Sequence, residues 1–125
     1  MGQYGWIGVD LDGTLAEYHG WLGGAVGKPI KPMVDRVKEW LAAGIEVRIM
    51  TARVAECGRT NDDGQTDDYT FTQLQRQVIE DWCESVFGQK LKVTATKDFQ
   101  MVELWDDRAV QVETNTGRRL GPYKT

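Results

Sequence analysis

The sequence predicts a single α/β domain with a Rossmann-like parallel sheet that carries helices on both faces. Short apolar segments alternate with longer segments of helical spacing, which is typical of strand, helix and strand units. The chain has 125 residues, enough for one domain spanning 1–125 but leaving little room for a second. Its hydrophobic content of 41% is sufficient for a core of its own.

The first half of the chain predicts a strand, a loop, a helix and a second strand. The apolar run at 7–9 is the first strand. A glycine-rich stretch, 17–28, follows and predicts a loop or short hairpin. Two prolines then precede a segment of helical apolar spacing that ends at Gly44, and the alternating segment 45–50 is the second strand. This order implies a parallel pair of strands.

The second half predicts a long loop, a second helix and three short strands. Residues 52–68 are polar and have no apolar period, which indicates a loop at the carboxyl edge of the sheet. The helix that follows ends at Gly88 and has an apolar stripe that we assign to the core. The stripe consists of Phe71, Leu74, Val78, Trp82 and Val86. The strands are expected at 91–95, 101–105 and 109–112. The tail, 114–125, is polar and basic.

Composition excludes several classes of protein. The net charge of -4 argues against a broad basic surface, so duplex nucleic acid is not an expected partner. Two cysteines, Cys57 and Cys83, and the single His19 are too few for a disulfide framework or a zinc cluster. No apolar stretch reaches membrane-spanning length and no signal-peptide pattern begins the chain. We therefore expect a cytoplasmic protein with reduced thiols and no membrane partner.

Two carboxylates, Asp10 and Asp12, follow the first strand and lie one residue apart. Acids held this close repel each other unless a proton or cation intervenes, and a hard ion such as Mg²⁺ suits oxygen ligands. A plain Asp–Gly turn explains the same residues equally well. A calcium-binding loop would require a glutamate where Trp21 stands, so that alternative fails.

Polar residues stand at the ends of four predicted strands or in the turns that follow them. They are Asp10 with Asp12, Thr51, Lys97, and Asp106 with Asp107. Each alone has a plain structural explanation, as a strand-end cap, a solvated lysine or a turn. In a parallel sheet, however, all these ends meet at one edge. Four carboxylates, a hydroxyl and an ammonium group gathered there would bind Mg²⁺ and a phosphoryl group.

The pattern resembles the haloacid dehalogenase superfamily of phosphotransferases. The resemblance is carried by D-x-D-G-T at 10–14, a hydrophobic strand that ends at Thr51, a lone Lys97, and the acidic pair Asp106-Asp107. These motifs come in the family's order and span 7–107. The resemblance implies a phosphatase because the family's dehalogenase and phosphonatase branches place other residues where Asp12 stands.

The resemblance also implies a role for each motif. Asp10 would be the nucleophile that forms an aspartyl-phosphate intermediate, and Asp12 would be the general acid and then the general base. The transferring oxygens would be bound by Thr51, Ala52 and Lys97. The Mg²⁺ ion would be held by Asp10, Asp12 through its backbone carbonyl, and Asp106, with Asp107 as a ligand through water or an orienting group.

The intervals between the motifs are too short for the cap domain of larger relatives, which implies an open site for a small phosphorylated substrate. The stretch 17–28 resembles the family's flap, where Tyr18 and Trp21 could close over a leaving group or could equally pack on the core. Arg53 follows the second motif, as in the phosphatase half of polynucleotide kinases, and it or Arg59 could bind a nucleotide. A nucleotide or polynucleotide 3′-phosphatase is therefore an alternative. A homo-oligomer that covers the site stays open.

Two other classes of protein use similar residues. Phospho-acceptor receiver domains combine an acidic pair, an aspartate, a threonine and a lysine on an α/β sheet, but their acidic pair comes early in the chain. The order found here favours a hydrolase. A non-catalytic phosphate-binding domain with the same fold is the third possibility.

Overall fold

A computed structural model describes residues 5–21, 23–58, 64 and 68–121. Strands and helices alternate along it largely as expected. The strands are β1 (Trp6–Val9), β2 (Glu46–Met50), β3 (Lys92–Thr94) and β4 (Met101–Trp105), and the helices are α1 (Lys31–Ala42) and α2 (Asp68–Phe87). A single 3-10 turn, Ala52–Val54, follows β2 directly. Neither helix combines the length and the apolar composition needed to cross a membrane.

The four strands form one parallel sheet in the order β3-β2-β1-β4. The predicted α/β class with a Rossmann-like parallel sheet is thereby confirmed. β1 lies between β2 and β4 and is buried along its whole length, which explains its short, uninterrupted apolar run. Because all strands run in the same direction, their carboxyl ends lie along one edge of the sheet.

One face of the sheet carries both helices. Ile7 and Val9 of β1 pair with Val47 and Ile49 of β2, so that these side chains project from the same face. They belong to one hydrophobic core with residues from both helices: Met33, Val34 and Val37 of α1, and Ile79 and Cys83 of α2. The crossovers from β1 to β2 and from β2 to β3 advance in the same direction across the sheet. Because crossovers between parallel strands are right-handed as a rule, this order places both helices on the same side.

The opposite face is covered by side chains and by an irregular segment. Trp6 of β1 is buried there, with the Arg48 guanidinium 4.4 Å from the centre of its ring. The indole N–H of Trp6 donates to Asp98 Oδ1 at 2.8 Å, which anchors residues 95–100. The expected helix on this face is absent from the described residues, because 95–100, the connection between β3 and β4, is too short to include one.

Helix α1 agrees with its sequence signals. Pro32 lies in its first turn, where a missing backbone N–H costs nothing, and Val34 and Val37 are buried. Gly44 follows the helix with φ of 79°, a left-handed conformation that favours glycine. The chain can then enter β2 without strain.

Helix α2 buries a face that agrees with the predicted one only in part: Trp82 and Val86 pack against the core as expected, but its first half does not. Leu74 and Val78, which we assigned to the core, are 57% and 39% exposed. The buried face contains Thr72, Gln75, Ile79 and Cys83. The prediction was wrong because it followed apolar residues alone, whereas polar Gln75 is buried to receive a hydrogen bond from Arg53.

The predicted fifth strand at 109–112 does not join the sheet. Val112 forms only an isolated antiparallel bridge with Arg119, and the backbone N–H of Leu120 donates to Gln111 O at 2.8 Å. The chain thus folds back on itself, and the first part of the tail returns along the end of the predicted strand. Val110 and Val112 are exposed, since no sheet face is available to cover them.

Of the two predicted loops, 17–28 is closed at its base, where Glu17 N–H donates to Lys28 O at 2.8 Å. The segment 52–68 begins with the 3-10 turn, which the sequence did not predict. Residues 59–63 and 65–67 lie outside the described residues, and so do the last four residues of the tail, 122–125.

Candidate active site

The carboxyl edge of the sheet brings three acids together. Val9 of β1 pairs with Trp105 of β4, and the N–H of Asp10 donates to Trp105 O at 2.9 Å. Asp10 and Asp106 therefore follow the ends of neighbouring strands and lie side by side at the carboxyl edge of the sheet. One carboxylate oxygen from each of Asp10, Asp106 and Asp107 lies within 4.8 Å of the other two, close enough for all three to contact one cation. We call these three residues the acidic cluster.

The environment of Asp10 disfavours a negative charge. Burial together with the nearby Asp106 and Asp107 carboxylates raises the pKa of Asp10 to about 7, although a hydrogen bond from Thr14 acts in the opposite direction. Without a cation, the cluster thus holds a proton at Asp10 well above the ordinary carboxyl pKa of 3.8. A divalent ion would relieve the same repulsion.

This shift makes the stability of the metal-free protein depend on pH. The folded state keeps the Asp10 proton up to a pKa of about 7 and the unfolded chain loses it near 3.8, so the stabilising contribution is complete below 3.8 and is lost as the pH rises to 7. We expect the free energy of unfolding to fall by at most about 1.4 kcal/mol per pH unit from this group. Urea unfolding with a chelator, across this interval, measures the slope.

The matched variant is Asp10→Asn, which cannot titrate at this position. The slope of its free energy of unfolding against pH should be smaller than that of the wild type between the two pKa values. Parallel slopes for the two proteins would show that Asp10 does not hold the additional proton.

Thr14 connects the two ends of the acidic cluster. Its buried hydroxyl accepts a hydrogen bond from the Asp107 N–H at 2.9 Å and lies 3.3 Å from Asp10 Oδ2 and 3.2 Å from Asp107 Oδ1. The preceding Gly13 has φ of 92°, and a Cβ there would lie 2.7 Å from Asp107 Oδ2. Gly13 therefore allows the turn after β1 to lie close to Asp107, and the hydrogen bonds of Thr14 hold the turn in this position.

Asp12 forms a two-pronged ion pair with Arg53. Arg53 Nε donates to Asp12 Oδ2 and Nη2 donates to Asp12 Oδ1, both at 2.8 Å. Arg53 is only 6% exposed. It lies in the 3-10 turn, which Thr51 caps, since the Thr51 hydroxyl accepts from Arg53 N–H at 3.1 Å. The turn directs the guanidinium from the end of β2 towards the end of β1.

The rest of the Arg53 guanidinium binds two further elements. Nη1 donates to Gly24 O at 2.6 Å and to Gln75 Oε1 at 3.0 Å, and Nη2 lies 3.3 Å from Ala25 O. Arg53 thus connects Asp12, the loop 17–28 and helix α2 through one side chain. Charge-assisted hydrogen bonds of this kind are the stronger ones in proteins.

A cavity of about 410 Å³ opens beside the acidic cluster. Its lining combines acids, arginines and aromatic rings. The lining residues are Asp12, Tyr18, Trp21, Ala52, Arg53, Phe71, Asp107 and Arg108. The volume falls within the range of sites for small molecules.

Most of the residues expected at the site lie around this edge. Asp10, Asp106 and Asp107 form the acidic cluster, and five others line the cavity: Asp12, Tyr18, Trp21, Ala52 and Arg53. Thr51 is buried at the end of β2, where its hydroxyl caps the 3-10 turn. Lys97 is exposed after β3, and within the described residues no ion pair joins it to the acidic cluster. Arg59 lies outside the described residues.

The sequence did not predict a functional role for four residues that the structure places at or near the site. Thr14 belongs to the D-x-D-G-T motif, and its position there was the available signal. Gln75 carried a weaker signal, as a polar residue within a helical segment. Phe71 was assigned to the core stripe, and Arg108 follows the acidic pair without any pattern of its own.

The fold and the site define a small α/β domain with an acidic cluster and a cavity at the carboxyl edge of its sheet. No family model matches the chain, and no curated protein matches it. A similar solved structure is described as the conserved protein coded by a locus from Bacteroides thetaiotaomicron, with a TM-score of 0.54 and 18% identity over 85% of this chain and 78% of that chain. At this identity, the similarity supports the fold alone.

Proposed function

We propose that the protein is a Mg²⁺-dependent phosphomonoester hydrolase that acts through an aspartyl-phosphate intermediate on Asp10. The observation that carries the proposal is the acidic cluster, in which one oxygen of each carboxylate lies within 4.8 Å of the other two. The cluster lies beside a cavity that Asp12 lines. The resemblance of the motifs to the haloacid dehalogenase superfamily supports it. The competing explanation of Asp10 and Asp12 as a plain turn does not require distant Asp106 to be so close.

The residues of the acidic cluster fit a magnesium ion. All three offer carboxylate oxygens, the ligands that hard divalent ions prefer, and burial together with their mutual repulsion raises the pKa of Asp10. Asp10, Asp106 and Asp107 would hold the ion, with the backbone carbonyl of Asp12 as the further ligand that the resemblance implies. When bound, Mg²⁺ would neutralise charge on the acids and on the transferring phosphoryl group.

The proposed reaction has two steps. A carboxylate oxygen of Asp10 attacks phosphorus, the bond from phosphorus to the leaving oxygen breaks, and Asp12 gives that oxygen a proton. Asp12 then takes a proton from water, and the water oxygen attacks phosphorus, which releases inorganic phosphate and restores the Asp10 carboxylate. The two hydrogen bonds from Arg53 use one lone pair on each Asp12 oxygen and leave the other lone pairs free to contact the leaving oxygen and water.

Removal of the metal tests the proposal directly. We expect phosphate release from p-nitrophenyl phosphate to fall to background after treatment with a chelator and to recover when Mg²⁺ is added back. Ca²⁺ should restore it poorly because Ca²⁺ takes more ligands at longer distances. Activity that survives complete chelation would contradict the proposed role of the acidic cluster.

A phospho-acceptor domain is the second candidate. The ion pair between Asp12 and Arg53 favours this second candidate, because the pair occupies one lone pair on each oxygen of Asp12, the group that a hydrolase would need to activate water. A domain of this kind would accumulate a stable phosphoprotein with acetyl phosphate, whereas a hydrolase would release phosphate over many turnovers. Acid-quenched phosphoprotein and released phosphate, measured in the same reaction, distinguish the two.

A further inference from the structure

We propose that Tyr18, Trp21 and Phe71 form a subsite for a nucleobase, so that the hydrolase takes nucleotides as substrates. This inference rests on the proposed function and concerns the leaving group of the same reaction. The subsite would bind an aromatic base that lies near a terminal phosphate, either in a free mononucleotide or at the end of an oligonucleotide.

The three rings and the proposed catalytic acids share one cavity. Tyr18 and Trp21 come from the loop 17–28, Phe71 comes from the first turns of α2, and Asp12 and Asp107 lie in the same lining. A ligand whose phosphate lies at the acids therefore has the aromatic residues within its reach. The cavity of about 410 Å³ is also much larger than a phosphate group requires.

Trp21 is held in place yet stays accessible. Its ring lies 4.8 Å from the Arg53 guanidinium and 6.1 Å from the centre of the Phe71 ring, with 33° between the two ring planes. Even so, Trp21 and Tyr18 are each 48% exposed. Because Arg53 is buried and has hydrogen bonds to three elements, it fixes the indole before any ligand arrives. A fixed aromatic surface binds a planar ring at a low cost in entropy.

Arg108 suits the cavity to an anion that carries a base. It lines the cavity, and its planar guanidinium can bind phosphate or stack on a base, whereas Arg53 already donates to Asp12, Gly24 and Gln75. Base stacking on aromatic side chains is strong and tolerates different bases, because every base has a π face. We therefore expect a general preference for nucleotides and little discrimination between adenine and uracil.

Calorimetry can measure the contribution of the base alone. Ribose 5-phosphate, AMP and UMP share the same sugar phosphate and differ in the base, and the Asp10→Asn protein would bind them without turnover. We expect both nucleotides to bind about 5- to 150-fold more tightly than ribose 5-phosphate. Adding Trp21→Ala should remove most of this ratio while the affinity for ribose 5-phosphate changes little, and Trp21→Phe should retain part of it.

Phe99→Ala is the matched control. Phe99 is a fully exposed aromatic residue in the segment 95–100 that crosses the opposite face of the sheet. Its removal should leave the ratio between AMP and ribose 5-phosphate unchanged. The subsite is overturned if the ratio is close to one, if no ligand binds, or if Trp21→Ala leaves the ratio intact.

The same ligands separate this inference from the proposed function. If the wild type hydrolyses ribose 5-phosphate and AMP with equal kcat/KM and binds them equally, the proposed hydrolase function stands and the subsite is overturned. Trp21-dependent binding of AMP without hydrolysis of any phosphate ester would support the subsite and overturn the hydrolase. Comparing AMP, 3′-AMP and a 3′-phosphorylated trinucleotide shows whether the base belongs to a mononucleotide or to an oligonucleotide end.

Discussion

Asp10→Asn is expected to lower kcat for p-nitrophenyl phosphate by about 10⁴-fold or more, which is the scale of losing a nucleophile. The amide keeps the size of the carboxyl group and can still accept a hydrogen bond from Thr14, which lies 3.3 Å from Asp10 Oδ2. It cannot form the aspartyl phosphate, and it removes one negative ligand from the acidic cluster. Steady-state kinetics at saturating Mg²⁺ measures the loss.

The control for this variant is Asp35→Asn. Asp35 lies on α1, where its half-exposed carboxylate pairs with Lys31 at 2.7 Å, remote from the acidic cluster in the sequence. An exposed pair of this type contributes little, so activity should stay near that of the wild type. Asp10→Asn protein with near wild-type activity would show that another group attacks phosphorus.

Arg53→Ala is expected to have the second-largest effect, on stability and on activity together. The substitution leaves Asp12 without its partner and also removes the hydrogen bonds to Gly24 O and Gln75 Oε1. Breaking a buried ion pair typically costs about 3–5 kcal/mol, and we expect the lower part of this range because the Asp12 side chain is 21% exposed. Urea unfolding measures this loss. The kcat should fall too, since Asp12 and the loop 17–28 lose their common anchor.

Two companion variants separate position from charge. Arg53→Lys keeps the positive charge but not the planar fork, so it should restore part of the stability and little of the activity. Arg48→Ala is the matched control, because Arg48 also stacks on a tryptophan, Trp6, but does so on the opposite face of the sheet. It should lower stability with kcat unchanged. Equal losses of kcat in Arg53→Ala and Arg48→Ala would indicate only general destabilisation.

Local patterns were sufficient to predict the four strands of the sheet and α1, although not the end of the chain after β4. The apolar run of β1, the alternation of β2, and Gly44 after α1 are each read over a few residues, and the structure agrees with them. The order of the strands in the sheet could not be predicted in this way, because no local pattern indicates which strand lies beside β1. The proximity of Asp10 and Asp106 depends on the pairing of β1 with β4, which only the family resemblance implied.

The wrong face of α2 and several omissions share one physical origin, namely polar partners that are distant in the sequence. Gln75 is buried on α2 because it accepts from Arg53, and this contact changes which face of the helix is covered. The sequence suggested only that Arg53 could bind a nucleotide, which stays a prediction, and it gave no sign that Arg53 pairs with Asp12, 41 residues away in the sequence. Trp6 is buried on the second face by Arg48 and by Asp98, which lies 92 residues from it.

The central claim is that Asp10 and Asp106 hold the same cation, and calorimetric titration of Mg²⁺ tests it with a double-mutant cycle. We expect one ion per wild-type chain, a loss of affinity of about 10-fold or more for Asp10→Asn and for Asp106→Asn, and a double variant whose loss is not the sum of the two. Wild-type affinity in the Asp106→Asn protein, or no Mg²⁺ binding at all, would contradict the account.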